Sequence, residues 1–178
     1  MQYVNDDPKN ISKKSQFIIE HFKNFTMKQI GEKAKAMIVT DKRKQAVLYK
    51  LAIDDYAKHL GLSIKTLVAF SGTVTINNID YTENSLNNKN NEKDFDIAKK
   101  FSTDEYRILI VADKFRVGFN QPNLHTMYVD KKLQNVNAVQ TLSRLNRTKN
   151  GKDNVCVVDF VNTAEEIQEA YSKYYVGV

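Results

Sequence analysis

The sequence predicts an α/β fold, a three-layer sandwich around a mainly parallel sheet. Three observations carry that expectation. Short apolar runs with little alternation, AMIVT, KTLVAF, RILIVAD, HTMYVD and VCVVDF, read as strands covered on both faces. Stretches of helical periodicity lie between most of them, so strands and helices alternate nearly throughout. The 178 residues suffice for one compact domain with a real core. In a sheet of this kind, ligand sites lie in loops beyond the carboxyl ends of the strands.

Each element follows from local pattern. Residues 10–30 carry Ile11, Ile18, Phe22 and Phe25 at near-helical spacing, which predicts an amphipathic helix ahead of the main fold. Its apolar face needs a partner, either the following domain or another part of a longer protein. The expected organisation is a connecting helical segment over 1–35 and an α/β domain over 36–178. AMIVT is the first strand, and KRKQAVLYKLAIDDYAKHLG is a helix closed by Gly61, where a helix C-terminus expects glycine. KTLVAF is the second strand. Residues 71–93 turn polar and asparagine-rich, which predicts a long loop outside the sheet. Asp94 opens a short helix ending near Phe101, and RILIVAD is the clearest buried strand. After it come the loop KFRVGFNQPN, the strand HTMYVD, a helix holding QTLSRLNR, the strand VCVVDF and a final helix over about 164–175. No internal repeat is visible.

Composition narrows the function classes. A formal net charge of +6 favours an anionic partner such as nucleic acid without locating the contact. The one cysteine, Cys156, lies in an apolar run and reads as a small buried hydrophobe, and no disulfide can form within the chain. His21, His59 and His125 are scattered with no metal-ligand spacing, so no metal site is expected. No apolar stretch is long enough to span a bilayer and the start lacks the apolar core of a signal peptide, which predicts a soluble cytoplasmic protein.

The residues richest in chemistry are those of QTLSRLNR. At roughly 100° per residue, Gln140, Arg144 and Arg147 share one helix face while Ala138, Leu142 and Leu145 share the other. Two guanidiniums one turn apart suit a polyphosphate or a nucleic acid backbone, and a solvated arginine face is the plain alternative. In the loop after RILIVAD, Gly118 permits close backbone approach, and Asn120 and Gln121 could bond a sugar hydroxyl or a base edge; a tight turn explains the same residues. Ser71, Gly72 and Thr73 follow the second strand with two hydroxyls and a flexible backbone. Thr40, Lys42 and Arg43 follow the first strand and open a helix whose N–H groups favour an anion. Absences matter too. There is no GxxxxGK[ST] loop, so complete ATP hydrolysis by this chain alone is not expected, and no E-x-K half of a nuclease metal site occurs. No nucleophile, base and orienting residue can be paired.

Taken together, QTLSRLNRT, RILIVADKFRVGFNQPNLHTMYVDK, KTLVAFSGTV and VVDFVNTAEEIQEAYSKYY resemble the motor (R) subunit of type I restriction enzymes, and within it the second RecA-like helicase domain of a superfamily 2 translocase. The match runs over about 36–175 with four motifs in order. The resemblance implies a RecA-like helicase C-terminal domain in a large subunit that also carries a nuclease domain and a first motor domain. That subunit assembles with methyltransferase and specificity subunits and moves along double-stranded DNA before cleavage, using ATP and Mg²⁺ held mainly by the first motor domain.

By matching positions, Gln140, Arg144 and Arg147 correspond to motif VI, whose arginines reach ATP on the neighbouring domain. Arg144 and Arg147 are then the expected catalytic cations. Gly118 and Asn120 correspond to motif V at the nucleotide. Thr40, Lys42 and Arg43 correspond to motif IV, and Ser71, Gly72 and Thr73 to a DNA-backbone contact. Relatives usually have Asp at Asn120 and often Thr at Val117. Two other readings compete: another superfamily 2 helicase such as a repair translocase, and a non-catalytic nucleic-acid-binding module. A Rossmann-type cofactor domain ranks last, because no GxGxxG follows the first strand.

Overall fold

The computed structural model describes residues 7–114 and 120–175. Its centre is a five-stranded sheet of β1 (Lys35–Thr40), β2 (Lys65–Ala69), β5 (Tyr106–Ala112), β6 (Leu124–Asp130) and β7 (Cys156–Asp159), in the order β2-β5-β1-β6-β7. Every neighbouring pair in it is parallel. β1 is central, with Ile38 opposite Ile110 on one side and Tyr128 on the other. β6 is buried along its whole length and β5 over its last five residues, as the unbroken apolar runs require. The five strands, the long helix over 43–59 and the final helix fall where sequence pattern places them.

Helices cover both faces. On one, α1 (Pro8–Asn24) and α2 (Arg43–His59) pack Ile18, Phe22, Val47 and Ile53 against Ile38, Val68, Ile110 and Tyr128. On the other, α4 (Ile97–Ser102), α5 (Val136–Leu142) and α6 (Ala164–Tyr175) pack Phe101, Ala138, Leu142 and Ala170 against Met37, Leu109, Met127 and Val129. Alternate strand residues therefore feed two separate cores. α2 ends at His59 with Gly61 at φ +67°, the left-handed conformation that closes a helix.

α1 is integral to this packing. Asp7 caps it by accepting the Lys9 N–H, Pro8 occupies its first turn, and Ile11, Ile18, Ile19 and Phe22 are buried. Phe25, assigned by periodicity to the apolar face, stands at the C-cap of α1 with its N–H on the His21 carbonyl, and it remains partly exposed although its ring packs on His21 and His125. A second anchor is electrostatic. The Lys14 ammonium donates to both oxygens of the buried Asp130 carboxylate (2.9 and 3.1 Å), and the Tyr49 hydroxyl donates to the same carboxylate at 2.6 Å. One charge at the end of β6 thus fixes α1 and α2 together.

The stretch over 71–93 corrects the expected long loop. It holds a hairpin of β3 (Thr73–Ile76) and β4 (Ile79–Thr82), then α3 (Glu83–Asn87). Asn77 and Asn78 sit at φ +51° and +62° in a two-residue turn, a conformation asparagine tolerates better than most residues. Two further polar side chains of this stretch cover the outer edge of β2. The Asn87 amide donates to the Val68 carbonyl (2.7 Å) and accepts the Val68 N–H (2.9 Å), while Glu83 accepts the Phe70 N–H (2.9 Å). The next helix begins at Ile97 behind an Asp96 cap, two residues after the expected opening.

Two measurements test this packing. Lys14→Met leaves Asp130 with Tyr49 alone and should lower unfolding free energy by about 3 kcal/mol in urea titration, the loss typical of breaking a buried ion pair. Lys35, buried at the start of β1, donates to the Tyr106 carbonyl at 2.6 Å. Burial, reinforced by nearby Arg107, pushes its ammonium down to about 8 from the ordinary 10.5. Between those values the unfolded chain binds more protons than the folded one, so this group adds stability as pH rises. The difference between wild type and Lys35→Met should consequently shift toward wild type from pH 7 to pH 10.

Candidate functional site at the two ends of the sheet

The carboxyl ends of β1, β2, β5 and β6 form one rim. After β1, Lys42 and Arg43 are exposed at the start of α2. After β2, Ser71 and Gly72 are exposed, and Thr73 opens β3. The rim brings two of the expected segments into contact, since Arg43 Nη1 donates to the Ser71 carbonyl at 2.8 Å. Gly72 has φ +77°, and a Cβ there would lie 2.9 Å from Arg43 Nη1. Glycine at this position is what lets the guanidinium lie over the turn.

Thr40 requires a correction. It is fully buried and its hydroxyl donates to the Val111 carbonyl at 3.0 Å, so it ties β1 to β5 and presents no hydroxyl at the surface. The start of α2 is also partly occupied by its own chain. Gln45 Oε1 accepts the N–H groups of Asp41 and Lys42, each at 3.1 Å.

Sequence reasoning missed other members of the rim. Lys114 follows β5 and donates to Glu83 Oε2 at 2.7 Å, and Lys131 follows β6 and lies 3.3 Å from Asp113 Oδ1. Their signal was position, because each stands just past the end of a strand whose register was already readable. The rim therefore presents Lys42, Arg43, Lys114 and Lys131 along one side of the sheet, with Glu83 and Asp113 as local counter-charges.

The arginine segment departs from the single helix the spacing suggests. α5 stops at Leu142, a 3₁₀ turn covers Ser143–Asn146, and Arg147 is extended at φ −77°, ψ 124°. The apolar half of the expectation holds, as Ala138, Leu142 and Leu145 are buried. The polar half does not. Arg144 is only 8 % exposed and lines a cavity of about 30 Å³ with Thr40, Asp113, Lys131 and Thr141, whereas Gln140 and Arg147 are exposed. Three residues per turn instead of 3.6 rotate the guanidiniums apart. The Lys152 ammonium holds the end of the turn, donating to the carbonyls of Leu145 (2.6 Å) and Arg147 (2.9 Å), and burial lowers its pKa below the usual lysine value.

Asn120 is exposed but not at the carboxyl rim. The next residue, Gln121, donates from Nε2 to the Phe101 carbonyl (3.1 Å), and Asn123 accepts the Lys35 N–H at the start of β1 (2.8 Å). β5 and β6 run the same way, so the chain between them must return to the amino end of the sheet. By Asn120 it has done so. The Arg147 carbonyl lies toward this end as well, since it accepts from the Lys152 ammonium at 2.9 Å, and that ammonium is near enough to His125 at the start of β6 to help lower its pKa. Gly118 and Val117 lie outside the described residues. Among the described residues no three His, Cys, Asp or Glu side chains stand close enough to hold a metal ion. A larger cavity of about 550 Å³ opens beside β2 between Lys50, Lys58, Asn88 and Tyr106, and none of the candidate site residues lines it.

Comparison with known proteins now bears on this arrangement. The chain is 34% identical over 167 residues to a protein named as the type I restriction enzyme MjaIXP endonuclease subunit of Methanocaldococcus jannaschii; the match covers 92% of this chain and 15% of that subunit. A solved fragment named as the HsdR subunit of a type I restriction enzyme from Vibrio vulnificus YJ016 shares the fold at TM-score 0.58 and 14% identity, covering 96% of this chain and 31% of the other. The Mss116p DEAD-box helicase domain 2, solved bound to an RNA duplex, does so at TM-score 0.50 and 22% identity, covering 84% and 50%. The fold is thus that of a RecA-like helicase C-terminal domain. Residues 9–162 match the family model of type I restriction enzyme subunit R domain 3, and the chain belongs to that family.

Proposed function

We propose that this chain serves as the second motor domain of a type I restriction enzyme R subunit, contributing to ATP-dependent translocation of double-stranded DNA before cleavage. The observation that carries the reading is the separation of the candidate residues to opposite ends of one rigid sheet. A cationic rim with Arg43 lying over the Ser71–Gly72 turn suits sugar-phosphate backbone, and it holds position without reading bases. The opposite end presents Arg147 and Asn120, which suit a nucleotide bound by a neighbouring domain. In this reading ATP and Mg²⁺ are held mainly by the first motor domain, Arg147 approaches the phosphates when the domains close, and the isolated chain is inactive. Mg²⁺ shields phosphate charge when bound, and this chain contributes cations, not metal ligands. Arg144, buried behind the rim, positions the segment that carries Arg147. Its methyltransferase and specificity partners follow from the same reading, as does a cytoplasmic location. A repair translocase of the same superfamily would use the same surfaces but lack a nuclease domain ahead of the motor.

Two experiments on the R-type subunit carrying this domain test the proposal. Arg147→Ala should reduce DNA-stimulated ATP hydrolysis by about 10³-fold with DNA binding and unfolding midpoint preserved, the scale of losing an arginine finger. Unchanged turnover would exclude the role. Arg43→Ala should weaken binding to duplexes of unrelated sequence equally and reduce the slope of log affinity against log salt by about 1, as for one lost phosphate contact. A loss confined to one sequence would point to base reading.

A further inference from the structure

The two edges of the sheet are treated differently. At β2 the outward groups are occupied by side chains of the chain itself: Asn87 takes both backbone groups of Val68, Glu83 takes the Phe70 N–H, and Lys50 donates to the Thr66 carbonyl at 2.9 Å. This is how a sheet edge is closed to further pairing. At β7 nothing comparable occurs among the described residues. The Phe160 N–H bonds the Val129 carbonyl on β6 at 2.9 Å, so the alternate residue Val157 turns its N–H and C=O outward.

The surroundings of that edge are apolar on both faces. Val155 and Val157 are 41% and 43% exposed beside the α6 layer. On the α1 side, Phe17, His21 and Phe25 form a ladder at i, i+4 and i+8, with ring centroids 5.9 and 5.2 Å apart. The ladder lies over β6 on the β7 side of α1, His21 meeting Tyr128 edge-on at 5.6 Å. Phe17 meets Phe160 edge-on at 6.0 Å just past the carboxyl end of β7. Phe25 meets His125 at 5.7 Å, and His125 Nε2 lies 3.2 Å from Asn154 Oδ1 just before the amino end of β7. Phe17 and Phe25 are nonetheless 48% and 39% exposed. His21 is held in place by the Tyr128 hydroxyl at 2.7 Å, so the ladder is fixed to the sheet and ready-formed.

We propose that β7 is an open docking edge, and that an extended apolar segment from elsewhere in the R-subunit polypeptide adds beside it as a sixth strand, seated on the Phe17–His21–Phe25 ladder. This rests on the R-subunit reading. Two observations select that occupant. The matched segment is only 15–17% of the length of the relatives from Methanocaldococcus jannaschii, so most of such a subunit lies outside this domain and is available to cover it. A second copy of this chain is disfavoured, because each copy carries +6 and pairing would bring like charges together. The added strand carries apolar residues on both of its faces, since both faces of the edge are apolar, and its backbone supplies the partners that Val157 lacks.

The test is amide hydrogen exchange over 155–159, read by mass spectrometry in the intact R-type subunit and in the 178-residue chain. The proposal expects the Val157 amide to exchange at least about 100-fold more slowly in the subunit. It also expects Val157→Lys to abolish that protection while leaving the unfolding midpoint of the chain unchanged. Equal exchange in both proteins overturns it. Protection that appears in the chain alone and grows with concentration also overturns it, assigning the edge to a second copy. DNA-stimulated ATP turnover of the same subunit is measured in parallel. A failure of the motor reading appears there and a failure of the docking proposal in the exchange alone.

Discussion

Parallel pairing of β1 between β5 and β6 is the constraint from which the rest of the molecule follows. A strand bonded on both sides and apolar on both faces must be covered twice, and α1–α2 and α4–α6 supply the two layers. Parallel neighbours also require every connection to travel the length of the sheet. Each connection therefore has one end at the carboxyl rim and one at the amino end. That separates Arg43, Ser71 and Gly72 from Asn120 and Arg147 without any residue being placed there for the purpose. The two ends are held apart on one rigid body because the sheet between them is closely packed.

The buried Asp130 carboxylate extends this logic. It ends β6, and Lys14 of α1 and Tyr49 of α2 both donate to it. A carboxylate with no exposure is costly unless paired, so the charge commits α1 to the domain more firmly than its apolar face alone would. The next residues lead directly into the segment carrying Arg144 and Arg147. That lead-in is pinned again by Asn162, which accepts the Leu133 N–H and donates to the Lys131 carbonyl. Polar bonds thus fix the backbone where the segment departs, and apolar packing of Ala138, Leu142 and Leu145 sets how it lies.

The sheet edges show how the same composition can mean different things. The asparagines over 71–93 looked like loop material. In the structure two of them make the left-handed turn of the β3–β4 hairpin and Asn87 closes the edge of β2. The apolar β7, by contrast, looked like a buried strand, and Cys156 within it is only half-buried. What covers a strand is a property of its neighbours and cannot be read from its own residues.

The sequence alone determined the α/β class, the five sheet strands, the presence of the long helices and the end of α2, because these depend on local periodicity and on residues such as Gly61 whose conformational reach is intrinsic. It also identified Arg43, Ser71, Gly72, Gln140 and Arg147, which the structure leaves exposed at the surface. Only the tertiary structure decided that Thr40 is spent on Val111, that Arg144 turns inward while Arg147 does not, and that Asn120 lies at the opposite end from the rim. Those outcomes turn on a change from α to 3₁₀ geometry and on where Gln121 and Asn123 anchor the chain ahead of β6. Both are settled by packing between elements distant in sequence, which no single segment encodes.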